Sequence, residues 1–366
     1  MLLASYSPTG DVRWARRIGG VGEDLAGHVA LTLGGEITLI GSFEKNLDLG
    51  GAHVESHGGS DIFLAGYTAE AGQVRWTRRF GTGCHADRGR DVALDRQGNI
   101  TTTGWFMCSP DFGGIKAASA GQRDVFVVSY TPKLALRWMQ SFGDTSEDYG
   151  RGVAMDPNGN TFVVGEINGT ADFGCGSATS HGGKDIFVVS YDPKGACRWF
   201  HTFGGPYQDY GSSIAVVPND GVVVTGNFAR TMDPGGGPLT ASGNSSDIFV
   251  VRYGHDGAYR WSKVLGGGGS ERGKRVKVNR AGNIVLLGTF DHTFKGDGYT
   301  LPSAGGWDIL ALSLAPDGTN RWTRQLGGPG DDDAGDVAFD ANGAVYMTGS
   351  STTPDGNKAI FLLRLE

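Results

Sequence analysis

The chain has 366 residues, and 63 of them are glycine, about 17% where roughly 7% is average. Hydrophobic residues at 39% and aromatics at 10% are ample for a core and exclude wholesale disorder. A net charge of −7, from 32 basic and 39 acidic residues spread along the chain, argues against a nucleic-acid footprint, and no apolar run reaches the roughly 18 residues of a membrane-spanning helix.

In chain order, no charged and apolar leader precedes the first strand-like run, so the chain reads as a domain of a longer precursor whose localisation is set by other signals. Met1–Ser7 is strand-like, and Asp11–Ile18 follows with the dipeptide Arg13-Trp14. That dipeptide recurs as Arg75-Trp76, Arg137-Trp138, Arg198-Trp199, Arg260-Trp261 and Arg321-Trp322, every 61 or 62 residues. A glycine keeps the same step at Gly41, Gly104, Gly165, Gly226, Gly288 and Gly349. So does an aliphatic residue at Val29, Val92, Val153, Ile214, Val276 and Val337. The chain is therefore six repeats.

Each repeat holds four short runs rich in Val, Ile, Phe, Tyr and Thr, separated by turn residues. In the second they are Arg90–Asp95, Asn99–Phe106, Asp124–Thr131 and Leu136–Phe142, with a long connection, Met107–Arg123, between the second and third. No amphipathic helical period is present. Four antiparallel strands repeated radially predict an all-β, six-bladed β-propeller, one domain over residues 1–366. The last repeat supplies strands near Asp336–Asp340, Ala344–Ser350 and Ala359–Leu365, so Asp11–Ile18 is expected to complete the sixth blade. Met1–Ser7 aligns with the third-strand run Ile62–Thr68, so that strand is present twice. A monomer is expected unless one copy, 1–7 or 359–365, pairs between chains.

The units resemble the bacterial β-propeller repeat family labelled SBBP. The resemblance rests on Asp185-Ile186-Phe187-Val188-Val189-Ser190-Tyr191, on Arg198-Trp199 with Phe203-Gly204-Gly205, and on Asp156-Pro157-Asn158-Gly159-Asn160. It implies a structural repeat more than an activity, and the chain has six units where the family label counts seven. The hairpin Ala4–Trp14 also resembles the tryptophan-docking motif of quinoprotein dehydrogenases, with Tyr6 where that motif carries Asp. No quinone cofactor is implied by sharing a docking hairpin.

Five residues before each repeated aliphatic stands an acid: Asp24, Asp87, Asp148, Asp209, Glu271 and Asp332. Innermost strands surround a propeller's axis, so these carboxylates are expected at one rim, where they would hold a cation or a basic partner. Recurrence in every repeat favours the plainer reading, an Asp that orders its own turn, because that turn is needed six times. Departures from the repeat mark recognition. After the second-strand glycine come Ser42, Trp105, Glu166, Asn227, Thr289 and Ser350, and Tyr149 and Tyr210 add stacking faces suited to sugars or peptides. Lys277 stands where the other repeats keep alanine, which directs its ammonium toward the channel or a carboxylate.

No nucleophile elbow, HExxH or P-loop is present. Cys84 and Cys108 fall in one repeat and Cys175 and Cys197 in the next, which predicts two local disulfides and an oxidising compartment. The expectation is a secreted or surface-displayed binding scaffold for a glycan, peptide or protein, with no nucleic acid partner and no cofactor, save a channel-bound cation. The alternative is a hydrolase or lyase at the channel mouth.

Overall fold

The computed structural model describes residues 1–32, 34–84, 86–243, 245–296, 298–353 and 355–365. All described elements are strands. Six propeller blades follow one another in sequence, each an antiparallel sheet with its strands in chain order. The first five have four strands, as in the second: Arg88–Leu94, Ile100–Phe106, Asp124–Tyr130 and Leu136–Phe142. In blades three to five the long second-to-third connection carries a small hairpin, such as Thr293–Gly296 with Tyr299–Pro302.

Periodicity explains the layering. The second and third strands of the second blade are buried at every residue, because neighbouring sheets cover both faces. Their sequences are accordingly near-continuous in Val, Ile, Phe and Thr. Fourth strands such as Val74–Phe80 are only partly buried and carry Arg between apolar residues. The repeated turn is equally legible. Asp95 Oδ1 accepts the N–H groups of Gln97 at 2.9 Å and Asn99 at 2.8 Å, while Gly98 adopts φ 79°. Asp156 and Gly159 (φ 85°) repeat this one blade later. Asx-type bonding with a left-handed glycine closes both hairpins.

The chain divides into two compact units. The first comprises Met1–Val163, Ile167–Ser177 and Ser190–Cys197; the second comprises Val164–Glu166, Ala178–Val189 and Arg198–Glu366. Within each, the repeated tryptophan docks one blade on the next. In the second unit, Trp199 Nε1 donates to His255 O at 2.9 Å with its ring over Gly257, and Trp261 Nε1 reaches Pro316 O at 3.1 Å. In the first unit, Trp138 lies against Gly195. A side chain at the glycine would overlap the indole, so repeated Trp and repeated Gly are two halves of one contact. Trp199→Phe keeps a ring on Gly257 and loses the N–H donor. The expected cost is about 1 kcal/mol in denaturant unfolding, and an unchanged midpoint would assign the contact to packing alone.

The N-terminal segment departs from expectation. Val12–Arg17 does not complete the sixth blade; it pairs with Leu2–Tyr6, with Ala4 opposite Ala15 and Ser5 opposite Trp14. Trp14 Nε1 donates to Ala69 O at 2.9 Å, docking this hairpin on the first blade as a preceding blade would. The sixth sheet accordingly has three described strands, Asp333–Phe339, Val345–Thr352 and Lys358–Leu365. The physical reason is proximity: Leu2–Tyr6 is itself a third-strand sequence, close to Val12 in the chain, and hairpin pairing needs no long-range closure.

Both expected disulfides are present. Cys84–Cys108 has its Cα atoms 6.5 Å apart and Cys175–Cys197 has them 5.5 Å apart, and both lie in the first unit.

Candidate functional site

The six repeated acids sit at the entry to each first strand, and each ties down its own turn. Asp209 accepts from Gly205 N at 2.7 Å and from Ala229 N at 2.9 Å; Asp148 accepts from Asp144 N at 3.1 Å and from Asn168 N at 2.8 Å. Asp24, Glu271 and Asp332 each accept from the glycine N–H four residues earlier, and Asp87 accepts from Met107 N at 2.8 Å. One carboxylate thus fastens the preceding turn, the following loop, or both. All but Asp24 are buried.

A second acidic series, not singled out from the sequence, lies beside them. The third strand carries Asp61, Asp124, Asp185, Asp247 or Asp308 at one repeated position, each buried. In every case Oδ2 is bonded, for example to Ala304 N from Asp308 at 2.6 Å, while Oδ1 has no hydrogen-bond partner. At Gly143, Gly204 and Gly327 the orphaned oxygen faces a glycine together with the next repeat's acid. A Cβ on Gly143 would stand 2.4 Å from Asp124 Oδ1 and 2.6 Å from Asp148 Oδ2; on Gly204, 2.5 Å from Asp185 Oδ1 and 2.9 Å from Asp209 Oδ2. The glycine therefore leaves room for two carboxyl groups in one buried junction. The recurring Asp-Ile/Val-Phe at the strand start was the available signal.

Two acids in one dry junction cannot both ionise cheaply. Burial, with Asp61 adjacent, pushes Asp87 up to about 7. Burial, with Asp144 and Asp124 adjacent, does the same for Asp148. Asp209 rises to about 6 and Glu271, beside Asp247 and Asp291, to about 9, again chiefly through burial. Asp61, Asp124, Asp185 and Asp247 are shifted upward for the same reason.

Of the predicted recognition residues, the structure brings Trp105 and Tyr149 together in the first unit, with ring centroids 6.0 Å apart and edge to face. Arg123 lies over the Trp105 ring at 4.6 Å and bonds Glu147 Oε1 at 2.5 Å and the Tyr149 hydroxyl. Tyr149 OH donates to Glu147 Oε2 at 2.8 Å, and Arg151 covers the Tyr149 ring at 4.7 Å. The rings form a buried floor, and the partly exposed Arg123 and Glu147 form a charged rim. Arg123 escaped sequence reading because it precedes the third strand, where the other repeats carry Ser60, Lys184, Ser246 or Trp307. In the second unit, Arg272 lies over Trp307 at 4.3 Å. Tyr210 stands opposite Asn227, and Lys277 is half-buried opposite Val285. Glu166 is buried.

One position before the repeated aliphatic, a polar side chain joins first strands of successive blades. Asp91 Oδ2 accepts from Val153 N at 2.8 Å and Asp91 Oδ1 lies 2.8 Å from His28 Nδ1. In the second unit, Ser213 accepts from Val276 N at 3.2 Å, and Arg275 approaches Asp336 at 3.7 Å.

Blades of four antiparallel strands, docked through a repeated tryptophan and sharing buried acid junctions, define a β-propeller built from sequence repeats. Two segments, residues 137–174 and 321–354, match the model of the SBBP family, described as a beta-propeller repeat. An uncharacterised WD repeat-containing protein of Acanthamoeba polyphaga mimivirus is 26% identical over 233 residues, covering 54% of this chain and 17% of its own length. The chain thus spans under a fifth of that relative.

Among solved structures, the quinohaemoprotein alcohol dehydrogenase of Comamonas testosteroni matches with a TM-score of 0.47 and 11% identity, over 96% of this chain and 62% of that one. A europium-containing methanol dehydrogenase matches at 0.43 and 8%, over 100% and 76%. At these scores the likeness carries no argument for activity. It does correct the cofactor expectation, because the resembling propellers include a quinohaemoprotein and a europium-containing enzyme. Among the described residues, no group of three or more His, Cys, Asp or Glu is placed to hold a metal ion.

Proposed function

We propose that this propeller is a non-catalytic binding module, extracellular or surface-displayed, that takes a glycan or peptide on the Trp105–Arg123–Tyr149 cluster. The carrying observation is a concentration of aromatic faces and guanidinium groups where the scaffold itself needs none. The counterparts of Trp105 are Ser42, Glu166, Asn227, Thr289 and Ser350, so the indole is not required by the blade. Guanidinium groups held in place over buried rings, with Glu147 beside them, suit ligands that offer carboxylate, hydroxyl or amide groups to the rim.

The two disulfides are compatible with an extracellular protein. No helix among the described residues is long and apolar enough to cross a membrane. Binding is favoured over hydrolysis because the carboxyls with raised affinity for protons are closed off. Asp148 is 1% exposed and both its oxygens already accept backbone N–H groups.

Glycan and peptide arrays, followed by titration calorimetry on any hit, test the reading. Arg123→Ala and Trp105→Ala are expected to weaken binding at least tenfold, about 1.4 kcal/mol or more. Lys184→Ala, at the position of Arg123 one repeat later, should leave it unchanged. A hit indifferent to both cluster substitutions would place the site elsewhere, and turnover of an array ligand would replace binding with catalysis.

A further inference from the structure

One tryptophan contact departs from the repeated pattern. Trp14, Trp138, Trp199 and Trp261 each lie on a turn glycine of the blade that follows: Gly72, Gly195, Gly257 and Gly318. The residue at that turn position opposite Trp76 is Leu134, held at φ 62°, a left-handed conformation that strains a leucine. A side chain there takes the room that the glycine leaves for an indole.

Trp76 lies instead on its own blade. A Cβ on Gly66 would stand 2.3 Å from Trp76 Cε2 and Nε1, and Gly66 stands where the other repeats carry Ser129, Ser190, Arg252 and Ser313. Two departures thus act on one indole: Leu134 turns it from the next blade, and Gly66 receives it. The blades stay docked, because Arg78 Nη2 donates to Leu134 O at 3.3 Å, as Gln140 Nε2 does to Gly195 O at 2.9 Å one repeat later.

The shift leaves a cavity of about 370 Å³ in the first unit, whose lining includes Glu36, Arg75, Trp76, Arg96 and Pro132. Polar groups that are paired elsewhere are open here. Trp199 Nε1 and Arg198 Nη2 both donate to His255 O, at 2.9 and 3.0 Å. The equivalent acceptor, Pro132 O, has neither donor: Arg75 pairs with Glu36, and Trp76 Nε1 has no hydrogen-bond partner among the described residues. Arg96 is exposed and has no carboxylate partner among them either. One carboxylate against two guanidinium groups leaves this lining positive.

We infer that the cavity is a second binding site, separate from the Trp105 cluster, and that it takes an acidic, glycine-containing peptide segment of another protein. The docked tryptophans show what this side chain recognises: a main-chain carbonyl for its N–H and a bare glycine for its ring face. A peptide beside Trp76 supplies both, offers an N–H to Pro132 O, and brings a carboxylate next to its glycine to Arg96. The chain's own turns already use this chemistry, with Asp256-Gly257 under Trp199 and Asp317-Gly318 under Trp261. Those turns are covered, which leaves the Trp76 site to an external segment.

The probe is a capped hexapeptide copied from Ala315–Asn320, Ala-Pro-Asp-Gly-Thr-Asn, titrated at millimolar concentration into isotope-labelled protein. Indole N–H resonances report each tryptophan separately, and Trp76→Phe assigns the relevant one. The expected result is a saturable shift of the Trp76 resonance with that of Trp105 unmoved. Asn for Asp in the peptide, or Arg96→Ala in the protein, should weaken binding about tenfold. Leu134→Gly restores the repeat's glycine, so Trp76 docks on the second blade, the cavity fills, and the shift is lost with no fall in melting midpoint. An unmoved Trp76 resonance overturns the inference, as does a Leu134→Gly chain that binds as tightly as the parent. Equal affinity for the Asp and Asn peptides overturns the acidic class. A shift caused by methyl glucoside and not by the peptide, or by raising the protein concentration alone, overturns it in favour of a sugar or a second copy.

Discussion

Glu271→Gln is expected to leave stability unchanged at pH 4 and to raise it at pH 8 by about 5 kcal/mol. The Glu271 carboxyl holds its proton to about 9 in the folded chain, against 4.5 when free, because it is buried beside Asp247 and Asp291. A folded-state value above the unfolded one means that the folded chain binds the extra proton. The contribution is therefore intact below pH 4.5 and is lost as pH rises toward 9. Asp87 and Asp148, each about 7, add slopes of the same sign between roughly pH 4 and 7. An amide in place of the carboxyl cannot ionise and has an N–H to offer the orphaned Asp247 Oδ1. Urea unfolding at a series of pH values reads the effect. A variant whose stability falls with pH as steeply as the parent's would show that this junction does not carry the linkage.

Reduction of the two disulfides should cost about 3 kcal/mol per bridge, since they span sequence separations of 24 and 22 residues. Both lie in the first unit, so the loss should fall there: the trio Trp105, Tyr149 and Trp138 becomes more exposed on heating in reductant, while Trp261 and Trp322 change little. Paired replacements Cys84→Ala/Cys108→Ala and Cys175→Ala/Cys197→Ala separate the bridges, with intact mass before and after reduction counting them. Four thiols alkylated without any fall in melting temperature would remove the stabilising role.

The blades were readable because every repeat states the same instruction. Arg-Trp every 61 or 62 residues, the second-strand glycine and the Asp-x-x-Gly-Asn turns each answer a local need, so recurrence alone exposes them. Asp24 through Asp332 were found in the same way, as a constant offset from a constant aliphatic. What escaped were partners separated by a blade. Asp124 and Asp148 belong to different repeats, and only docking brings both carboxyls over Gly143. Arg123 looks like an arbitrary loop residue until Trp105 and Glu147 arrive on either side.

Strand count, turn chemistry, blade fold and the two cysteine pairings follow from residues near one another in the chain, and a linear reading reaches them. Which of two equivalent third strands Val12–Arg17 takes is settled in three dimensions alone, and with it the bare edge of Lys358–Leu365. Both candidates satisfy the same register, so local pattern cannot choose between them; the choice rests on which partner is closer when the strand forms.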